Sequence, residues 1–394
     1  MTHLELPTSV KKVGTYAFYK VPIDGFDVNL PNLEEIGAAV FYKSNIRSVS
    51  NLGKITTLPA INAQLEEGWG WYGTFAYCLS LESVTLPDTL ITMDAGSFRN
   101  CTALQTINIP NSVTSINSFS FQYCSNIRYT NNEAFKNVTS IGQCAFFHSG
   151  FDGQDLHFPN LEGDIVNHTF GYCKCRSIVL GKVTSVSGDW GNDYNPLHKM
   201  PNLEYCVFGD TLTSFGQNNF IECPNLKALI FCSTTPPTLS GAIRNDNCSI
   251  YVPDESVVAY REASGWIDYA DRIIPLSEYG VVREYENITS NYTLETGQAY
   301  GQVGGSIQFT DDTAYQHTKA SLSDVSYVMV KSPSQASSLV QYVDGNDKIL
   351  KIAVTNFQSS LTRYNIGNVE GATHVYITSA TGTMQIWREV KDNA

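Results

Sequence analysis

Three aromatic rings crowd into the eight residues Glu66-Glu67-Gly68-Trp69-Gly70-Trp71-Tyr72-Gly73. Aromatic side chains supply a large, rigid contact area, so on an exposed loop Trp69, Trp71 and Tyr72 could stack on sugar rings or anchor a protein partner. Filling of the core by at least one of them is the competing use. The adjoining Glu66 and Glu67 raise a second chemistry, because glycoside hydrolysis needs two carboxyl groups held about 5–10 Å apart. Other reactive constellations are missing. The chain has no HExxH, GxSxG or GxxxxGK[ST] motif, and its seven histidines are scattered. Cys173-Lys174-Cys175 is too short a pair to define a zinc site. Asp311-Asp312 and the turn Asp344-Gly345-Asn346-Asp347 lack the full spacing of a calcium loop and read as solvated turns. No enzymatic activity, no metal and no cofactor is expected, with a glycan-active enzyme as the remote alternative.

The elements that position these residues come from a repeat. Phe18, Phe41, Phe75, Phe98, Phe121, Phe146, Phe170 and Phe220 open near-identical phrases, with Leu197 in the slot before the last. The gaps between successive anchors are 23, 34, 23, 23, 25, 24, 27 and 23 residues. Such self-similarity means stacked units, since one unit cannot bury its apolar face alone. Within one unit, Leu104, Ile107 and Ile109 have the spacing of a short strand facing inward, and Pro110-Asn111 ends it. Val113 and Ile116 turn back into the core, and Phe121 closes the unit. The gap of 34 residues holds about eleven extra residues around Leu65 to Tyr72, expected as an inserted loop that carries the tryptophans. The unit around Leu197 is degenerate and follows a stretch with Trp190 and Tyr194.

Bulk properties limit the function further. In 394 residues the net charge of −13 argues against nucleic acid as a partner, because phosphate contacts need clustered Lys and Arg. No run of eighteen apolar residues exists, so no membrane insertion is expected. The N-terminus MTHLELPTSV lacks the basic start and apolar core of a secretory signal. Of the ten cysteines, Cys78, Cys101, Cys124, Cys173 and Cys223 fall three residues after an anchor. They are expected as a ladder of small apolar groups in the core rather than as disulfides. Leu4-Glu5-Leu6-Pro7 is a strand phrase with no polar cap before it, so another chain or a missing segment is an expected cover for that end.

The phrase of Ala/Ser-Phe, Cys three residues on, Leu, then a strand ending in Leu/Ile-Pro-Asp/Asn-Ser/Thr resembles the leucine-rich repeat of BspA-like (Treponema-type) surface proteins. The resemblance covers roughly residues 4 to 275. It implies a mainly β leucine-rich repeat solenoid over 1–275 with a short helical C-terminal cap over 250–275. Val257, Tyr260, Ala263, Trp266 and Ile267 form the expected apolar stripe of that cap. Residues 276–394 contain no cysteine and read as short strands between Gly, Asn and Ser turns, an antiparallel β-sandwich. That segment is similar to accessory domains of phage tail and gut-bacterial surface proteins. The resemblance implies a non-enzymatic recognition or adhesion protein, extracellular or at a cell surface, whose partner is a cell-surface protein or glycan. A tail-associated or host-attachment role in a phage virion is the alternative. The expected contact face is the outward side of the stacked strands, reading Ser83 and Thr85, Thr106 and Asn108, Asp155 and His157, Ser177 and Val179, Tyr205 and Val207, Ala228 and Ile230. This face changes from polar to apolar along the chain, and the apolar end is expected either to mark a contact or to lie under the cap or second domain.

Overall fold

The computed structural model describes residues 6–22, 25–131, 134–188, 195–245 and 248–279 of a first compact unit, Met1–Tyr279. In a second unit, Gly280–Ala394, it describes 285–287, 289–296, 298–303, 306–310, 315–323, 325–330, 340–346, 349–354, 362–366, 369–380 and 384–389. Trp190, Tyr194, Asp311, Asp312 and Asp347 lie outside the described residues.

The first unit is a parallel β stack whose turns have three sides. One side is a sheet of Phe26–Asn29, Ile46–Asn51, Ser83–Val84, Thr106–Ile107 and Arg128–Tyr129, all parallel. A second side stacks Thr57–Leu58, Thr92–Met93, Ser115–Ile116 and Ser140–Ile141 in the same sense. The third side carries the anchors, where backbone bonds run from turn to turn, as from Phe75 N–H to Ser97 O (2.9 Å) and from Phe98 N–H to Ser120 O (2.8 Å). Between the sides lies one continuous core cluster. Its spine is the anchor column. Phe18, Phe41, Phe75, Phe98 and Phe121 stack at 5.3 to 5.7 Å between centroids with ring planes within 6° of parallel.

The cysteine slot is part of this spine. Cys78, Cys101 and Cys124 each donate a thiol hydrogen bond to the carbonyl of the preceding anchor, Phe41, Phe75 and Phe98 respectively. All ten cysteines are free thiols, and all but the half-buried Cys232 are buried. Burial pushes the thiol of Cys223 up to about 12. A second ladder is made of side-chain amides. Asn108 takes the N–H of Leu86 and gives to its C=O (2.6 and 3.0 Å), and Asn131 does the same for Ile109 (3.0 and 2.7 Å). Gln154 repeats the pattern on Tyr129 at 3.0 and 2.9 Å. Each amide pairs both backbone groups of a residue at or just past the end of a strand, which satisfies them there.

The residue two places after every anchor is left-handed. Lys20, Lys43, Tyr77, Asn100, Tyr123, His148, Tyr172, Lys199 and Glu222 all have φ between 51° and 61°. A single such residue without glycine costs roughly 1–2 kcal/mol, which the inter-turn bonds on both sides of it offset.

Beyond residue 155 the two sheets merge. Asp155–Ile165, which carries Pro159, and Ser177–Val186 run through the corner at which earlier strands stop, and the second of these joins both sides into one eight-stranded sheet. The end is closed by the helix Val257–Glu262 and short 3-10 turns, with Val257, Tyr260 and Trp266 buried. Ile267 departs from the expected stripe and is 60% exposed, because the chain leaves the helix after Glu262 and re-enters a 3-10 turn with a different periodicity.

In the second unit, Tyr285–Asn287, Gln385–Glu389, Tyr327–Val330 and Thr362–Asn365 form one antiparallel sheet. Glu295–Thr296, Tyr315–Ser321, His374–Ala380, Val340–Val343 and Ile349–Val354 form another. A separate cluster including Val328, Val340, Val375, Ile377 and Ile386 is its core. Asp344 accepts from the Asn346 N–H at 2.8 Å, the geometry of an ordinary polar turn.

Candidate recognition surface

The insert between Phe41 and Phe75 is an antiparallel hairpin rather than a loop. Ala60–Leu65 pairs with Gly68–Gly73 across the two-residue turn Glu66-Glu67. Period-two alternation then sorts its side chains. Ile61, Leu65 and Tyr72 face the solenoid, where they join Ala39, Tyr42, Ala76, Tyr16, Tyr19 and Tyr77. Asn62, Gln64, Trp69 and Trp71 occupy the opposite face, and all four are exposed. Trp69 is 75% and Trp71 41% exposed. The two indoles are two residues apart on one strand, with Gln64 directly across from Trp69 and Asn62 across from Trp71.

Tyr72 therefore corrects the sequence reading: it is 1% exposed, edge-on to Tyr42 at 5.2 Å, and its hydroxyl donates to Gly68 O at 2.8 Å. Being next to Trp71 on a strand, it must point the other way. Two glycines of the same strand also stand close to the solenoid. A Cβ on Gly70 would stand 3.3 Å from the Arg99 guanidinium, and one on Gly73 would meet the Ser97 backbone at 2.4 Å.

The hairpin tip is clamped. Glu66 pairs with Lys20 and, at 3.2 Å, with Lys43; Glu67 pairs with Lys43 and accepts from the Tyr42 hydroxyl. Lys20 and Lys43 hold the same slot of successive turns, so they stand side by side as the acids require. Both carboxylates are thus engaged by the scaffold. Burial alone would raise the Glu67 carboxyl, but the hydrogen bonds from Lys43 and Tyr42 hold it below the usual range. A depressed carboxyl stabilises the clamped hairpin above the unfolded value, and the contribution is lost as pH falls through the depressed one. Hydrogen exchange over 60–73 is expected to accelerate selectively as pH is lowered from 6 to 3, after correction for intrinsic rates. Lys43→Met should flatten that dependence; identical profiles for the two proteins would contradict the clamp.

The strand face places the remaining expected residues. Thr85 is exposed and Asn108 half-buried, and together they line a shallow polar depression of about 400 Å³ with Ser50, Asn51, Gly53 and Asp88. Asn108 is corrected from ligand-facing residue to ladder amide, since both its polar atoms serve the Leu86 backbone. Further along, Val179 pairs in register with His157 and Val207, Val207 with Ile230, Ile230 with Tyr251 and Tyr251 with Ile274. His157 is exposed, while Val179, Tyr205 and Val207 are half-buried. Ile230 is 6% exposed and so is not available as a contact residue. The chain after the last strand returns to this end, with the Tyr279 ring edge-on to Tyr251 at 5.1 Å. Outward acids of the strand face are held by neighbouring turns. Asp27 accepts from Arg47 (3.0 Å) and Ser48 (2.7 Å), and Asp155 accepts from Arg176 and from Ser177 (2.6 Å).

Two groups escaped the sequence reading. Asn62 and Gln64 show no signal until the hairpin register is known. The left-handed slot also stacks Tyr123, His148 and Tyr172 at 5.0 and 4.0 Å, a stripe the anchor period could have revealed. Burial, then His168 and Lys174, lower the pKa of His148. Among the described residues no cluster of His, Cys, Asp and Glu could hold a metal ion, and no helix is long and apolar enough to cross a membrane.

The repeat has recognised counterparts. A family model described as BspA type leucine rich repeat region matches residues 1–61, 72–191 and 130–251 in six copies. A leucine rich cell surface protein from Faecalibacterium prausnitzii A2-165 is 17% identical, with 63% of this chain and 78% of that chain covered and a TM-score of 0.29. A leucine-rich repeat protein from Bacteroides ovatus ATCC 8483 is 16% identical, covering 56% of this chain and 73% of its own, with a TM-score of 0.22. No curated protein matches the chain.

Proposed function

Because this chain belongs to the BspA-type leucine-rich repeat family, we propose that it is a non-enzymatic recognition protein of a cell surface, holding its partner through the hairpin at 60–73. One observation carries the reading. Trp69 is the most exposed large apolar side chain of the described residues and Trp71 beside it is also exposed, yet they stand on a hairpin whose underside is packed and whose tip is clamped. Exposed tryptophans on a rigid support are the residues that dominate binding energy at interfaces, because little conformational entropy is lost when they are covered. A pair needed only for packing would sit on the face that Tyr72 occupies. Thr85 and the depression beside it, with His157 farther along, supply polar contacts on a separate side of the turns. We read the two antiparallel sheets of residues 280–394 as an accessory β-sandwich that spaces or attaches this module.

Binding of the purified chain to cells, immobilised extracellular proteins and glycans tests the proposal. The intact chain is expected to be retained on at least one surface. Trp69→Ala/Trp71→Ala should weaken retention by about tenfold or more with an unchanged melting temperature, since neither ring is in the core. Equal retention of the two proteins would sink the hairpin reading.

A further inference from the structure

The four outward residues of the hairpin define what can lie on it. The platform is one face of a two-stranded hairpin: Trp69 and Trp71 project from alternate positions of one strand, about 6.8 Å apart, and Gln64 and Asn62 stand directly beside them on the next. It carries no formal charge. The nearest acids, Glu66 and Glu67, are drawn to the underside by Lys20, Lys43 and Tyr42. It is also chemically two-sided. Indole rings favour the C–H faces of a pyranose, whereas each primary amide offers two donors and an acceptor to hydroxyls. An apolar protein anchor would leave both amides without partners, a desolvation cost that a hydroxyl-bearing ligand avoids. An anionic polysaccharide would find no cation on this face. Resting on the recognition role above, we infer that the hairpin binds a neutral, extended, β-linked oligosaccharide, with two sugar units stacked on Trp69 and Trp71 and their hydroxyls hydrogen-bonded to Gln64 and Asn62. A flat β-linked chain presents ring faces in one plane over consecutive units; a coiled α-linked chain does not.

The probes are cellohexaose, xylohexaose, mannohexaose and chitohexaose, with maltohexaose and heparin for contrast, followed by tryptophan fluorescence and calorimetry on the full chain. At least one neutral β-linked hexasaccharide is expected to shift the fluorescence saturably. Its affinity should fall about tenfold or more in Trp69→Ala and in Trp71→Ala. It should fall severalfold in Asn62→Ala and in Gln64→Ala, and change less than about twofold between low and high salt, because no charged pair is formed. Gly14→Ala, which touches nothing within 4 Å, serves as the folding control. Absence of any response to the four β-linked probes, or a response to heparin alone that salt removes, overturns the inference. If cell or protein binding still depends on Trp69 and Trp71 in that case, the recognition role stands with a protein partner. If that dependence is also absent, both readings fall.

Discussion

Phe98→Ala is expected to destabilise the solenoid by about 3–5 kcal/mol, the range for emptying a fully buried phenylalanine site. Phe98 is inaccessible to solvent and sits in mid-column, 5.3 Å from the Phe75 ring and 5.7 Å from the Phe121 ring, nearly parallel to both. In a stack where each turn touches only its neighbours, removing one ring damages two interfaces at once. The surroundings have little freedom to collapse into the gap. The Phe98 N–H is bound to Ser120 O, its carbonyl receives the Cys124 thiol, and both neighbouring turns are tied in the same way. Phe18→Ala at the edge of the column, where the ring is only partly buried and stacks on one neighbour, should cost clearly less. Phe98→Leu should cost clearly less than Phe98→Ala, because it leaves a smaller gap and Leu197 fills the same slot naturally and is fully buried. Urea unfolding of the three variants decides the matter, and a Phe98→Ala cost no greater than that of Phe18→Ala would refute the two-interface argument.

The anchor column, the thiol ladder and the inward strand positions follow from one period, because stacking places equal slots over one another and buries them alike. Residues outside the period were harder to read. Tyr72 and Trp71 differ in the sequence only by one position, and their fates depend on which face of the hairpin meets Tyr42, a contact between units. The Lys20–Lys43 pair was visible as a repeated slot, but its partners Glu66 and Glu67 sit at the far end of the insert. Asn108 looks like any outward polar residue. Its ladder role shows only in the 23-residue echo at Asn131, with Gln154 continuing the pattern under a different residue type. The left-handed slot is silent for a different reason. Of its nine occupants only Asn100 and His148 are types enriched in that backbone, so the constraint comes from stacking and leaves little trace in composition. Ile230 belongs to an apolar outward row as read, yet it is buried where it pairs between Val207 and Tyr251.

Gly209→Ala is the second large effect expected, and it tests why the two sheets merge. In three earlier copies the corner after the strand is Leu-Pro or Ile-Pro, at Pro31, Pro87 and Pro110, and the strand stops there, whereas Asp155–Ile165 runs through Phe158-Pro159 with a shift in pairing register. At Gly181 and Gly209 proline is gone and the turns close up. A Cβ on Gly181 would stand 2.0 Å from the Pro159 carbonyl oxygen, and one on Gly209 only 1.7 Å from that of Gly181. Both obstacles are backbone atoms, so no side chain can swing aside. Neither glycine has a left-handed φ, so the requirement is space and not backbone conformation. Adding the methyl group must push the turns apart and stretch the bond from the Gly209 N–H to Leu180 O, now 2.8 Å. Overpacking typically costs about 1–3 kcal/mol; with a backbone obstacle and a ladder bond lost together, the upper end of that range or more is expected. The damage should be local, because coupling passes only between adjacent turns. Amides of Ser177–Val186 and Tyr205–Phe208 should lose exchange protection while those around Phe98 keep theirs. Gly14→Ala, with open space around it, should leave both regions unchanged. A Gly209→Ala protein with the exchange pattern of Gly14→Ala would mean that the corner is not held by glycine, and that the strand through Gly181 continues for some other reason.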